Sequence, residues 1–244
     1  MILKKTIQFN NNISPIMVNK IFFFLVFLLT SLIVNAQNTV IKAGHFFDAR
    51  NGKMLENQII VIQDGKIKEI GINPKFGDTD IIIDLSNSFV LPGLMDCHVH
   101  ITDNLSHRNI QLEQMYAHES TSLRAIRGSV VAKQFLNNGF TTIKEIGNDA
   151  NYATAAIIKA IKKGWIQGPT IIYAGKIIAP YGGQSRDVNP EHAHSWDFEY
   201  LDADTPDEIK KAVRKNIYNG ATVIKLVTGD NGIYNQEDIK AAVD

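Results

Sequence analysis

The chain has 244 residues with 25 basic and 25 acidic side chains, a formal net charge of zero. That balance excludes the basic field of a nucleic-acid protein and the polybasic patch of a membrane-surface binder. Hydrophobic residues at 45% and charged residues at 20% describe a globular chain, and a single Cys can form neither an internal disulfide nor a Cys-rich zinc site.

In chain order, residues 1–36 read as a secretory signal peptide. Lys4, Lys5 and Lys20 supply a basic start, with Met17 as an alternative initiator. The run from Ile21 to Leu29 has no polar residue, and Val34-Asn35-Ala36 is a small-x-small exit that makes Gln37 the expected new N-terminus. The apolar stretch is shorter than the about 20 residues a spanning helix needs, so no stable membrane anchor is expected. The mature protein is expected to be exported, periplasmic or extracellular.

Residues 37–92 read as a small β module. Ile59–Ile62 is a β-branched run, Asp64-Gly65 a turn, and Lys66–Ile70 alternates with period two, which together predict a hairpin. Ile81–Asp84 and Ser88–Leu91 are two further predicted strands, and Asn51-Gly52 is another turn. The module is too small for a self-sufficient core, so it is expected to pack on another part of the protein. His45 belongs to it and is expected to be structural.

From Gly93 onward strands and helices alternate. The predicted strands are Leu94–His98, Thr141–Glu145, Thr170–Ala174 and Thr222–Val227. Helices are predicted over Ser120–Asn138, stopped by Gly139, and over Tyr152–Lys163, closed by Gly164. Another starts at the capping box Thr205-Pro206-Asp207-Glu208 and ends at Gly220, and a last one opens at Asn235. This order predicts an α/β fold with a parallel sheet. The part from Gly93 to Asp244 falls short of the about 250 residues of a (β/α)8 barrel. It reads either as a four-stranded domain or as the first half of a barrel.

His98-Val-His100 carries the chemistry. Side chains two apart on a strand share a face, so two imidazoles can converge on one metal, at the strand end where barrel active sites lie. Asp96 is expected to orient one of these ligands. Cys97 alternates away from His98 and is expected to be buried and inert. Lys225 sits mid-strand in an apolar run expected to be covered on both faces. Burial there favours a neutral amine, which can take up CO₂ as a bridging carbamate; the plain alternative is a strand-end Lys that reaches solvent or pairs with a carboxylate.

His192 and His194 repeat the His-x-His spacing in a polar loop and read as solvated. Tyr181, Gln184 and Trp196, in the segment after the third strand, are candidates to line a pocket. His107 and His118 read as rim or surface residues. A nucleotide-binding reading fails because no Gly-rich phosphate loop follows the first strand.

The motifs Asp64-Gly65-Lys-Ile, Leu91-Pro-Gly-Leu-Met-Asp-Cys-His-Val-His100, Gly139-Phe-Thr-Thr-Ile-Lys-Glu145 and Gly220-Ala-Thr-Val-Ile-Lys225 together resemble the amidohydrolase superfamily, in its imidazolonepropionase-like and Xaa-Pro dipeptidase-like branch. The resemblance runs from about Val40 to Asp244. It implies a TIM-like (β/α)8 metallohydrolase barrel, of which residues 93–244 form the first four βα units, preceded by a small composite β-sandwich of which residues 37–92 form the N-terminal part. It implies a metal-dependent hydrolase of carbon–nitrogen bonds in a small molecule or dipeptide. One or two divalent ions, zinc foremost, would be held by His98, His100 and a carboxylated Lys225. The resemblance also implies two more His ligands on later strands and a late Asp as general base, all expected beyond Asp244. Taken alone, the chain is expected to be an incomplete and weakly active or inactive form. Gly182-Gly183-Gln184 stands where some relatives carry Gly-Gly-His. The alternative is a non-catalytic exported metal- or ligand-binding remnant, folding alone or as a homo-oligomer in which a second copy supplies strands.

Overall fold

The computed structural model describes residues 37–103, 118–147, 150–181, 191, 197–228 and 234–243. The expected leader, His107, Gln184, His192, His194 and Trp196 lie outside these residues. Two compact units meet at the Pro92/Gly93 boundary.

The first unit holds β1 (Thr39–Asp48), β2 (Lys53–Gln63), β3 (Lys66–Gly71) and β4 (Ile81–Val90) in one sheet of order β3-β2-β1-β4. β1 pairs antiparallel with β2 and parallel with β4. The predicted hairpin is β2-β3: Asp64 and Gly65 take φ of 51° and 71°, and two successive positive φ values match the right-handed twist of the strands they join. The two strands expected at Ile81–Asp84 and Ser88–Leu91 are a single strand that itself carries the irregularity: Leu85 pairs with Ala43 and Phe89 with His45, so β4 bulges between them while β1 runs on. His45 stacks on Phe89 at 4.4 Å between ring centroids, a packing role. Among the described residues this unit is one mixed sheet; the facing sheet of the expected sandwich is not seen.

The second unit alternates strands and helices: β5 (Leu94–Val99), α1 (Thr121–Asn137), β6 (Phe140–Glu145), α2 (Ala153–Lys162), β7 (Thr170–Tyr173), β8 (Ile177–Ala179), β9 (Tyr200–Asp202), α3 (Pro206–Tyr218) and α4 (Gln236–Val243). β5, β6 and β7 form a parallel sheet in that order, and β8 pairs parallel with β9. Buried Val99, Ile101, Ala132, Ile143 and Ile157 join β5, β6, α1 and α2 into one core, and Ile178, Ala203, Ile209, Ala212, Tyr234 and Ala241 join β8, α3 and α4 into another. Helix starts follow local chemistry. Ser120 accepts the Leu123 N–H at α1, and Thr205 and Glu208 close a reciprocal capping box at α3 with Pro206 in its first turn.

The fourth predicted strand is reduced to an extended segment. Thr222 and Val223 both donate to the Tyr173 carbonyl, which breaks the ladder's regular step. Pairing resumes at a single bridge between Ile178 and Leu226, where Ile178 donates to the Lys225 carbonyl and Val227 to the Ile178 carbonyl. β8 and β9, too short to stand out in the sequence, frame this segment on the other side. No helix among the described residues is long and apolar enough to cross a membrane.

Candidate functional site

The paired histidines lie at the C-terminal end of β5. The β5-β6 ladder slips between Asp96 and Val99, so the strand bulges where the pair begins. Val99 turns into the helix-covered core, and the rings of His98 and His100 meet edge to face with centroids 5.1 Å apart. The bulge also breaks simple alternation. Cys97, expected to be buried against the helices, is exposed instead. Asp96 accepts the backbone N–H of His98 at 3.0 Å, so it braces the main chain and not an imidazole as the sequence suggested.

The group that faces an imidazole is Glu145, at the end of β6. It is fully buried. One carboxylate oxygen accepts the Ile101 N–H at 2.6 Å and the other lies 3.5 Å from His100 Nδ1. The Gly147 carbonyl reaches the same Nδ1 at 3.1 Å. Gly147 has φ of 136°, and a Cβ there would come within 2.7 Å of Ile177, so only glycine lets this carbonyl turn toward the ring. Sequence reasoning quoted Glu145 only as part of a strand. Its role depends on a neighbouring strand 45 residues earlier in the chain, which no local pattern encodes.

The two imidazoles have opposite electrostatic surroundings. His100 is held above the ordinary histidine range by its interaction with Glu145, aided by the Gly147 carbonyl and Asp103, with burial opposing. His98 is held below it by partial desolvation and then by the positive potentials of His100 and Lys225, with Asp96 opposing. His98 is therefore neutral at pH 7, with a lone pair to give. Lys225 is half-buried on the extended segment, not covered on both faces as an apolar strand would have it.

The turn after His100 is pinned by two arginines of α1. Thr102, through its carbonyl oxygen, accepts from both Arg124 and Arg127. Arg124 is buried and also bonds Glu199 at 2.7 Å and Asp103 at 3.1 Å, while Arg127 forks onto Glu119. Glu199 in turn accepts the Ala150 N–H, which ties the residues before β9 to the segment after β6. Tyr200 beside this cluster has its phenol pushed up to about 12 by burial, then by Glu199 and Asp103, so it stays neutral. A cleft of about 540 Å³ opens beside the pair, bounded by Asp96, His98, His100, Asp103, Arg127 and Gln134 among others. Of the other sequence candidates, Tyr181 and His118 are exposed. Among the described residues no group of three or more His, Cys, Asp and Glu is arranged to hold a metal ion.

A parallel βα series with convergent imidazoles and a cleft at the end of its first strand is an enzyme-like α/β architecture. The model of the amidohydrolase family matches residues 89–243, and the chain belongs to that family. It is 28% identical over 225 residues to an ochratoxinase of Aspergillus niger, covering 83% of this chain and 44% of that protein. A Xaa-Pro dipeptidase with bound methionine in its active site superimposes with a TM-score of 0.71 at 28% identity, over 85% of this chain and 53% of the other. A prolidase complexed with N-methylphosphonate-L-proline gives 0.70 at 27%, again over 85% and 53%. The chain thus spans about half the length of these relatives.

Proposed function

We propose that this chain carries the first ligands of a metal-dependent hydrolase that cleaves amide-type carbon–nitrogen bonds in small molecules, such as dipeptides or N-acyl amino acids. The observation that carries the reading is the His98/His100 pair, with one Nδ1 engaged by a carbonyl and a carboxylate. A ligating imidazole is ordinarily held in this way, its second nitrogen fixed so that the first can bind metal. The donor set suits a borderline ion such as zinc. Bound there, the ion would supply a Lewis acid and a nucleophile from water at neutral pH.

The chain's own residues do the positioning. Glu145 and the Gly147 carbonyl hold the His100 ring. Arg124 and Arg127 fix the turn that follows it, and Asp96 fixes the backbone of His98. We further propose that Lys225 is the third ligand after carboxylation. The unprotonated form of its amine would attack CO₂, forming an N–C bond and releasing one proton to solvent, and the carbamate anion so formed would offer oxygen donors to a metal. The general base, the specificity loops and further ligands are assigned to other parts of a complete enzyme. Residues 1–36 are proposed as its cleaved export signal.

The test is hydrolysis of a panel of dipeptides and N-acyl amino acids by zinc-loaded protein, read as released amine. In a protein that carries these residues together with the further ligands and the general base, amine release that a chelator stops and that His98→Ala and His100→Ala each abolish is the expected result, whereas this chain alone is expected to bind zinc with little or no release. Release in that longer protein that survives both substitutions contradicts the reading, and tight zinc binding by it without release favours the non-catalytic alternative.

A further inference from the structure

A fully buried carboxylate is costly unless its oxygens are engaged by specific groups. Two of the groups at Glu145 belong to this site: the Ile101 N–H, on the residue directly after His100, which donates to one oxygen, and the imidazole of His100, which lies within ion-pair distance of the other. His100 Nδ1 is faced by two acceptors, the Glu145 carboxylate at 3.5 Å and the Gly147 carbonyl at 3.1 Å. Two acceptors on one ring nitrogen demand a proton there. The neutral ring is then the Nδ1–H tautomer, with its lone pair on Nε2.

We propose that Glu145 is a positioning residue for the metal site: from the neighbouring strand it locks both the backbone after His100 and the tautomer of its ring, so that Nε2 is presented as the donor. This rests on the metal reading above and goes beyond it, because it assigns a role to a residue that touches neither metal nor substrate. A carboxylate is suited to both tasks at once, since it has acceptor capacity only and two oxygens to divide between them.

Two readouts in the whole chain test it. In zinc-free protein, long-range ¹⁵N–¹H spectra of the histidine rings report the tautomer. Competition with a chromophoric chelator reports zinc affinity. Glu145→Gln keeps volume and an acceptor for Ile101 but can turn an amide N–H toward Nδ1. We expect it to shift His100 away from the Nδ1–H tautomer and to weaken zinc about 10- to 100-fold, with Glu145→Asp restoring the tautomer in part. Circular dichroism confirms that each variant is folded. An unchanged tautomer and unchanged affinity in a folded Glu145→Gln protein overturn the assignment, even if His98→Ala and His100→Ala abolish binding. Zinc affinity indifferent to His100→Ala overturns the metal reading instead, and with it the metal half of this inference; the tautomer half is still decided by the zinc-free spectra.

Discussion

His98 and His100 are two residues apart yet are displaced to opposite sides of the ordinary histidine range, His98 downward by desolvation and then by neighbouring cationic groups, His100 upward by a buried carboxylate. A group whose folded pKa lies above its unfolded value stabilises the fold fully at low pH and loses that contribution as pH rises through the folded pKa. For His100 the window therefore opens above its unfolded value of 6.5. In metal-free protein, the melting-temperature gap between wild type and His100→Asn is expected to be larger at pH 6 than at pH 8.5. A gap that widens toward alkaline pH contradicts the Glu145 pairing. The His-x-His pair was legible in the sequence because its spacing alone puts two rings within reach of each other. Glu145 was not, and neither was the exposure of Cys97. The first depends on strand pairing across the chain, and the second on a bulge that no residue type announces.

At the scale of elements, helix α1 does more than cover the sheet. Arg124 is buried with two acidic partners, Asp103 and Glu199, so Arg124→Met leaves uncompensated buried charge and is expected to cost about 3–5 kcal/mol in urea denaturation. A loss under 1 kcal/mol would mean the cluster is not a brace. The capping box of α3 is a smaller device, and Thr205→Ala is expected to cost about 1 kcal/mol in the same experiment. Helix boundaries were readable to within a residue at Ser120, Thr205 and Gly164, since caps and stops are local chemistry. The fourth strand was misjudged. Thr222–Val227 has strand composition, yet two successive N–H groups share the Tyr173 carbonyl and regular pairing fails. β8 and β9 are three residues each; they pair with each other, and β8 also bridges this segment through Ile178.

For the whole molecule, the α/β class and the family follow from the order of elements and from the motifs around His98, Glu145 and Lys225. Export predicts a mature N-terminus at Gln37, to be read by mass spectrometry of secreted protein; a retained Met1 or Met17 start contradicts it. The chain spans about half the length of the ochratoxinase and the Xaa-Pro dipeptidase it resembles.

The central claim is that two imidazoles at the end of β5 hold a divalent ion. Zinc titration of the wild-type chain against a chromophoric chelator, beside His98→Ala and His100→Ala, tests it most directly. Stoichiometric binding that weakens at least 100-fold in each variant is expected (about 2.7 kcal/mol or more). Equal affinity in all three proteins would contradict it.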